Sequence, residues 1–229
     1  MNRKHCLLFI FLLFSVYLPC FLIDFGMHND YAAFEYDRRD CLSFPESLHM
    51  IAIGRPLGAL LINLQFFFLH TISDLAVARF ISFLICMINA ILFIWYLRKD
   101  MDFLWLLMMT FCIFTLPASQ LYIIWTATSL QGHLTVIIAF ISFFMLERVN
   151  FKRKIHGLNI VYLSGAYIIF LASLFIYPAS ALFILVLTTV RIMFSPVSSW
   201  INVRLLAIGD ILFISSSMII YFIFHKFIF

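Results

Sequence analysis

Nine charged side chains crowd one stretch of this sequence, Asp24 to Leu61, in a chain that is 65% hydrophobic and otherwise poor in charge. Six of the eleven acidic residues lie there: Asp24, Asp30, Glu35, Asp37, Asp40 and Glu46. Arg38, Arg39 and Arg55 sit among them. Asp30 is the leading candidate for chemistry. It falls seven residues beyond an apolar segment, where a helix leaving lipid meets water, and Asn29 and Tyr31 flank it. A carboxylate in a partly desolvated groove at that surface becomes a useful general base. Glu35 and Asp37 follow at distances that a short helix brings near its face. The plainer reading is a solvated acidic loop, because no fixed catalytic spacing marks the stretch.

Arg38, Arg39 and Arg55 form the cationic half of this constellation. Arginine suits phosphate, since its planar fork donates two hydrogen bonds and keeps its charge in a low dielectric. At a bilayer surface the phosphates belong to lipid head groups or to a lipid-linked substrate. Pairing within the loop, such as Arg39 with Glu35, is the competing account of any single arginine.

Chemistry is sparser elsewhere. Arg79 stands near the start of an apolar segment and is expected to snorkel to the interface. Asp210 lies about five residues into the last such segment, where pairing with Arg204 accounts for it better than a proton relay does. His70 and His133 have no second His or Cys at i+3 or i+4 and point to no metal. The five cysteines form neither a CxxC pair nor a Cys/His cluster. No cofactor and no divalent metal is indicated.

The elements that must position these groups are membrane helices. Mean hydropathy is +1.08 and 11% of residues are charged, against about 25% in soluble domains. Several apolar runs approach the ~20 residues needed to cross a hydrocarbon core. The expectation is an all-α, polytopic transmembrane bundle forming one membrane domain over residues 1–229. It has about seven spans, and an outer loop at 24–74 carries a juxtamembrane helix. The net charge of +4 does not mark a nucleic-acid binder, because the basic residues gather at helix ends.

Charge orients the spans. Arg3 and Lys4 hold the N-terminus in the cytoplasm, and Cys6–Ile23 reads as a retained signal anchor that delivers the charged loop outside. Pro56–His70, at 15 residues, is short for a span and is placed on the outer surface. Leu75–Leu97 then runs inward, and every later cluster (Arg98-Lys99, Arg148 with Lys152–Lys154, Arg191, Arg204) falls inside. The remaining spans are Phe103–Leu116, Thr126–Leu146, Leu158–Tyr177, Ala179–Phe194 and Leu205–Phe224. Between the first two, PASQLYIIWTATSLQGH begins at Pro117 and mixes Gln120, Trp125, Gln131 and His133 with apolar residues. It is either irregular backbone with Gln120, Trp125 and His133 lining a cavity, or two ordinary helix ends with an interfacial tryptophan.

The order of parts resembles the N-terminal half of the GT-C membrane glycosyltransferases, which include protein mannosyltransferases, aminoarabinose transferases and O-antigen glucosyltransferases. One span precedes an outer loop with an early acidic residue beside a tyrosine. GRPLGALLINLQFFFLH follows, and then a span that opens with an arginine. Arg55-Pro56-Leu57-Gly58 and Ala78-Arg79-Phe80-Ile81-Ser82 stand where the first two groups commonly read PPLG-x-x-L and a-x-R-l-x-S. The GRPL variant is more like the O-antigen branch. The likeness covers roughly residues 1–146. It implies transfer of a sugar from a polyprenyl-phosphate donor to a cell-surface glycan or lipid acceptor, on the outer face of a bacterial inner membrane. Asp30 would be the general base and the anomeric configuration would invert. Arg55, with Arg38 and Arg39, would hold the donor phosphate, and Pro56–His70 would be an amphipathic helix lying on the bilayer. Asn29 stands where many members carry a second acidic residue, and members are usually longer, with more spans.

Two other classes compete. One is a flippase or transporter of a lipid-linked saccharide, which calls for buried charges and paired broken helices along the spans. The other is a non-catalytic membrane subunit or truncated remnant, suggested by the 229-residue length.

Overall fold

The computed structural model describes residues 3–22, 45–69, 71–98, 101–149, 157–194 and 200–228. Its secondary structure there is entirely helical. In chain order the helices are α1 (Arg3–Leu22), α2 (Pro45–Ala52), α3 (Pro56–Phe68), α4 (Ile72–Leu97), α5 (Phe103–Thr115) and α6 (Pro117–Ile124). These are followed by α7 (Thr126–Arg148), α8 (Gly157–Ile176), α9 (Pro178–Ala181), α10 (Phe183–Phe194) and α11 (Trp200–Ile228). Helices satisfy their own backbone donors and acceptors, which apolar surroundings demand.

Five of them are long and apolar enough to cross a membrane: His5–Leu22, Ile72–Leu97, Ser129–Arg148, Leu158–Ile176 and Val203–Phe227. Their exposed surface is apolar over long stretches, as with Leu205, Ile208, Ile211, Leu212, Ile219 and Phe222 on α11. An integral membrane protein requires such faces. Two of the seven expected spans are shorter and interrupted. Phe103–Thr115 is 13 residues, or about 20 Å of helix against a core of ~30 Å, and Pro178–Phe194 divides at Leu182.

Proline sets the breaks. Leu116, before Pro117, has φ −57° and ψ 149°, and Tyr177, before Pro178, has φ −153° and ψ 94°. A proline disfavours α conformation in the preceding residue, has no N–H to continue the ladder, and suits the first turn of the next helix. Helix starts elsewhere are capped by side chains. Thr71 and Asp74 form a reciprocal capping box at α4, and Asp102 accepts from the Leu104 N–H at α5.

The chain divides into two compact units, residues 1–48 with 60–133 and residues 49–59 with 134–229. The divisions fall inside α2, α3 and α7 rather than in a linker, which is why composition does not announce them.

In the first unit α1, α4, α5 and α6 pack on one another. Phe14, Tyr17, Phe21, Phe80 and Phe83 make an aromatic cluster between α1 and α4, with centroids 5.5–6.5 Å apart. In the second unit α8 packs on α9 and α11, and α10 on α9 and α11. Its core includes Phe140, Phe143, Phe170, Leu174, Ile184 and Phe213.

Candidate functional site

The GRP string is helix punctuation. The Gly54 N–H bonds to the Ile51 carbonyl and the Arg55 N–H to the Met50 carbonyl, the paired bonds that end a helix in a Schellman motif. Gly54 supplies the left-handed residue this turn requires, at φ 81°. Arg55 is the next residue, and its carbonyl accepts from Ala59 as α3 begins with Pro56. The backbone of Arg55 is therefore held on both sides, between the end of one helix and the start of another. Its guanidinium lies 4.8 Å from the centre of the Tyr177 ring, a cation–π contact. No carboxylate among the described residues pairs with it.

Gly54 itself presses on the last turn of α11. A Cβ placed there would lie 2.9 Å from His225 Cγ. The His225 ring stands 6.4 Å from that of Tyr221, one turn back on α11. One end of the second unit thus gathers Arg55, Tyr177, Tyr221 and His225.

The other end of that unit holds the ion pairs found among its described residues. Asp210, 1% exposed, accepts from Arg191 of α10 and, at 3.0 Å, from the Thr188 hydroxyl. Glu147, near the end of α7, lies 3.8 Å from Arg191. The guanidinium of Arg191 also covers the Phe143 ring at 5.2 Å. Asp210 therefore pairs with Arg191, not with Arg204 as expected; six residues along one helix turn the two side chains about 120° apart. His225 lies fifteen residues beyond Asp210 on α11, about 22 Å along its axis, so the two clusters occupy opposite ends.

In the first unit the polar residues serve the backbone at helix breaks. Around Leu116 the carbonyls of Ile113, Phe114 and Thr115 accept from Ser119 Oγ, Tyr17 Oη and Gln120 Nε2 respectively. At Trp125, between α6 and α7, the Ile124 carbonyl accepts from Arg79 Nε at 3.2 Å. Arg79 was expected to snorkel. It is fully buried instead, because a freed carbonyl inside the bundle needs its donor. Ser82 and Asn89 continue the same face of α4, donating to the carbonyls of Ser129 and His133, and Gln65 of α3 donates to Ser129 Oγ.

This places the residues singled out from the sequence. Asp30, Glu35, Asp37, Arg38 and Arg39 lie outside the described residues, whereas Arg55 sits at the α2–α3 turn. Gln120 caps a helix end, Trp125 occupies the α6–α7 break, and His133 is buried with its ring edge-on to Tyr122 at 5.9 Å. A cavity of about 200 Å³ in this unit is lined by α1 and α5, including His5, Leu12, Leu104 and Phe111, and by none of those three. No group of three His, Cys, Asp or Glu side chains among the described residues suits a metal. Helix α3 has no polar outer face: Leu60, Leu64, Phe67 and Phe68 are exposed, while Gln65 is buried. The amphipathic surface helix implied by the resemblance is therefore an apolar one, suited to immersion rather than to floating at an interface.

Sequence reasoning passed over Tyr177, Tyr221 and His225. Tyr221 and His225 share a helix face at i, i+4, but nothing local ties that face to Arg55, 166 and 170 residues earlier. No protein-family model, curated protein or solved structure matches the chain.

Proposed function

We propose that this chain is a membrane glycosyltransferase module. It moves a sugar from a polyprenyl-phosphate donor to a cell-surface glycan or lipid acceptor. The observation that carries the reading is the position of Arg55. It is the arginine that the GT-C resemblance assigns to the donor phosphate, and it has no carboxylate partner among the described residues. It lies at the end of the second unit where α8 and α11 finish, away from the Arg191–Asp210–Glu147 cluster. Arg148, Arg191 and Arg204 lie toward that other end, against Arg55 and Lys226 at this one, and because basic residues mark the cytoplasmic end of membrane helices this excess supports an outward-facing Arg55. The same rule supports seven crossings of a bacterial inner membrane, with Phe103–Ile124 and Pro178–Phe194 crossing as interrupted helices. The N-terminus and the Arg148, Arg191 and Arg204 ends are then cytoplasmic.

In this mechanism the acceptor hydroxyl attacks the anomeric carbon and its proton passes to the Asp30 carboxylate. The bond from that carbon to the phosphate oxygen breaks, the lipid phosphate departs with the electron pair, and the configuration inverts. Arg55 offsets the charge that grows on the departing phosphate, the stage at which fixed cationic groups contribute most. Asp30→Asn is expected to lower transfer by at least ~100-fold, the span attributed to a general base, while membrane insertion and expression stay at wild-type levels. Transfer measured in isolated membranes from a radiolabelled polyprenyl-phosphate sugar decides this; most of the activity surviving in Asp30→Asn would remove the assignment.

A further inference from the structure

We infer that Tyr221 and His225, on the last turns of α11, complete a phosphoryl-binding site with Arg55, and that α11 is thereby part of the binding machinery. The inference rests on the proposed function for the identity of the ligand, a lipid phosphate, but the site itself stands on its own geometry. Four observations converge. Arg55 is a half-buried cation that no carboxylate among the described residues neutralises. Its guanidinium lies against the Tyr177 ring, and a cation–π contact through the planar face leaves the N–H edge of the fork able to donate to an anion. His225 Nδ1 is buried and has no hydrogen-bond partner among the described residues. A buried ring nitrogen left so costs free energy until a ligand or water reaches it. Tyr221, 4% exposed, stands one turn before His225 on α11, its ring 6.4 Å from the imidazole.

The backbone adds to this. The turn that presents Arg55 also begins the 13-residue helix α3, and the N-terminal end of a helix attracts anions. Gly54 lets that turn approach the His225 ring more closely than any Cβ permits. An arginine fork, an imidazole and a phenol, three kinds of potential donor, gather around one turn. No acidic side chain among the described residues joins them. That set fits a phosphate ester carrying one or two negative charges, and it fits a nucleobase or a cation poorly. Because α11 reaches this point as a membrane-spanning helix, the phosphate's organic substituent is an apolar chain that enters the bilayer.

The test is titration of the full chain in detergent micelles with three probes: inorganic phosphate, farnesyl monophosphate and phosphatidylglycerol. Binding is read by calorimetry. Farnesyl monophosphate is expected to bind most tightly. Tyr221→Phe and His225→Phe each remove one donor while keeping the ring, and each is expected to weaken binding by roughly tenfold, about one hydrogen bond. His225→Asn restores a donor near the Nδ1 position and is expected to recover most of that loss, which a merely structural role for the histidine would not produce. Arg55→Lys keeps the charge, loses the fork, and is expected to bind more weakly than wild type. If Tyr221→Phe and His225→Phe bind farnesyl monophosphate as the wild type does, the site does not include α11 and the inference fails. It fails equally if no probe binds. Phosphatidylglycerol binding with the same pattern of losses, and no response to farnesyl monophosphate, keeps the site but makes it a head-group anchor and removes the donor reading. Transfer that depends on Asp30 while these variants bind normally would leave the proposed function standing without this inference.

Discussion

Arg191 donates to the Asp210 carboxylate between two neighbouring helices, and this ion pair is sealed inside the second unit, with Asp210 only 1% exposed. Two charges taken out of water are tolerable because each answers the other and Thr188 adds a hydroxyl. Breaking such a pair from one side leaves a buried charge unanswered. Asp210→Ala is expected to cost about 3–5 kcal/mol of stability. The double variant Asp210→Leu with Arg191→Met, which removes both charges, is expected to recover most of it. Denaturation in mixed micelles measures both; a single variant as stable as wild type would show that the pair does not hold α10 on α11.

Arg79 closes the break between α6 and α7 through the Ile124 carbonyl. Arg79→Met keeps the length of the side chain and loses the donor. Amide exchange is expected to rise by about tenfold at the start of α7, the effect of losing roughly one hydrogen bond to a charged donor, with little change in α10 and α11. Exchange unchanged at the α7 start would assign the stability of the break to packing alone.

Gly54 carries two demands at once, a positive φ and a close approach to His225. Gly54→Ala is expected to destabilise by about 1–2 kcal/mol, the cost of a left-handed L-residue. The added methyl must also displace the imidazole. Gly54→Ala at wild-type stability would mean that the turn relaxes away from α11 without cost.

The proposed topology makes a prediction that no catalytic assay can answer. A membrane-impermeant thiol reagent applied to intact cells is expected to label Cys41, and to miss a cysteine placed by Lys152→Cys until the cells are opened. The opposite labelling would invert the orientation and move Arg55 to the cytoplasmic face.

What the sequence determined by itself was governed by solvent and by local backbone chemistry. Apolar runs near the length needed to cross the hydrocarbon core forecast the five long helices among the seven expected spans, because an unsatisfied backbone cannot enter lipid. Pro117 and Pro178 marked breaks that the structure places one residue before each of them, because the constraint acts between neighbours. Gly-Arg-Pro stood out as a motif, and its meaning as a helix stop followed by a helix start is also local. Tertiary structure alone decided which long-range partners the charged and polar groups found. Asp210 turned to Arg191, because the two helices pack there and Arg204 lies about 120° around α11 from it. Arg79 went inward, because a carbonyl 45 residues away lacked a donor. Tyr221 and His225 came to Arg55, because a glycine turn fits against the last turn of α11. Hydropathy reports how each residue ranks water against lipid. It carries no information about which two helices meet, and that pairing is what brings these side chains together.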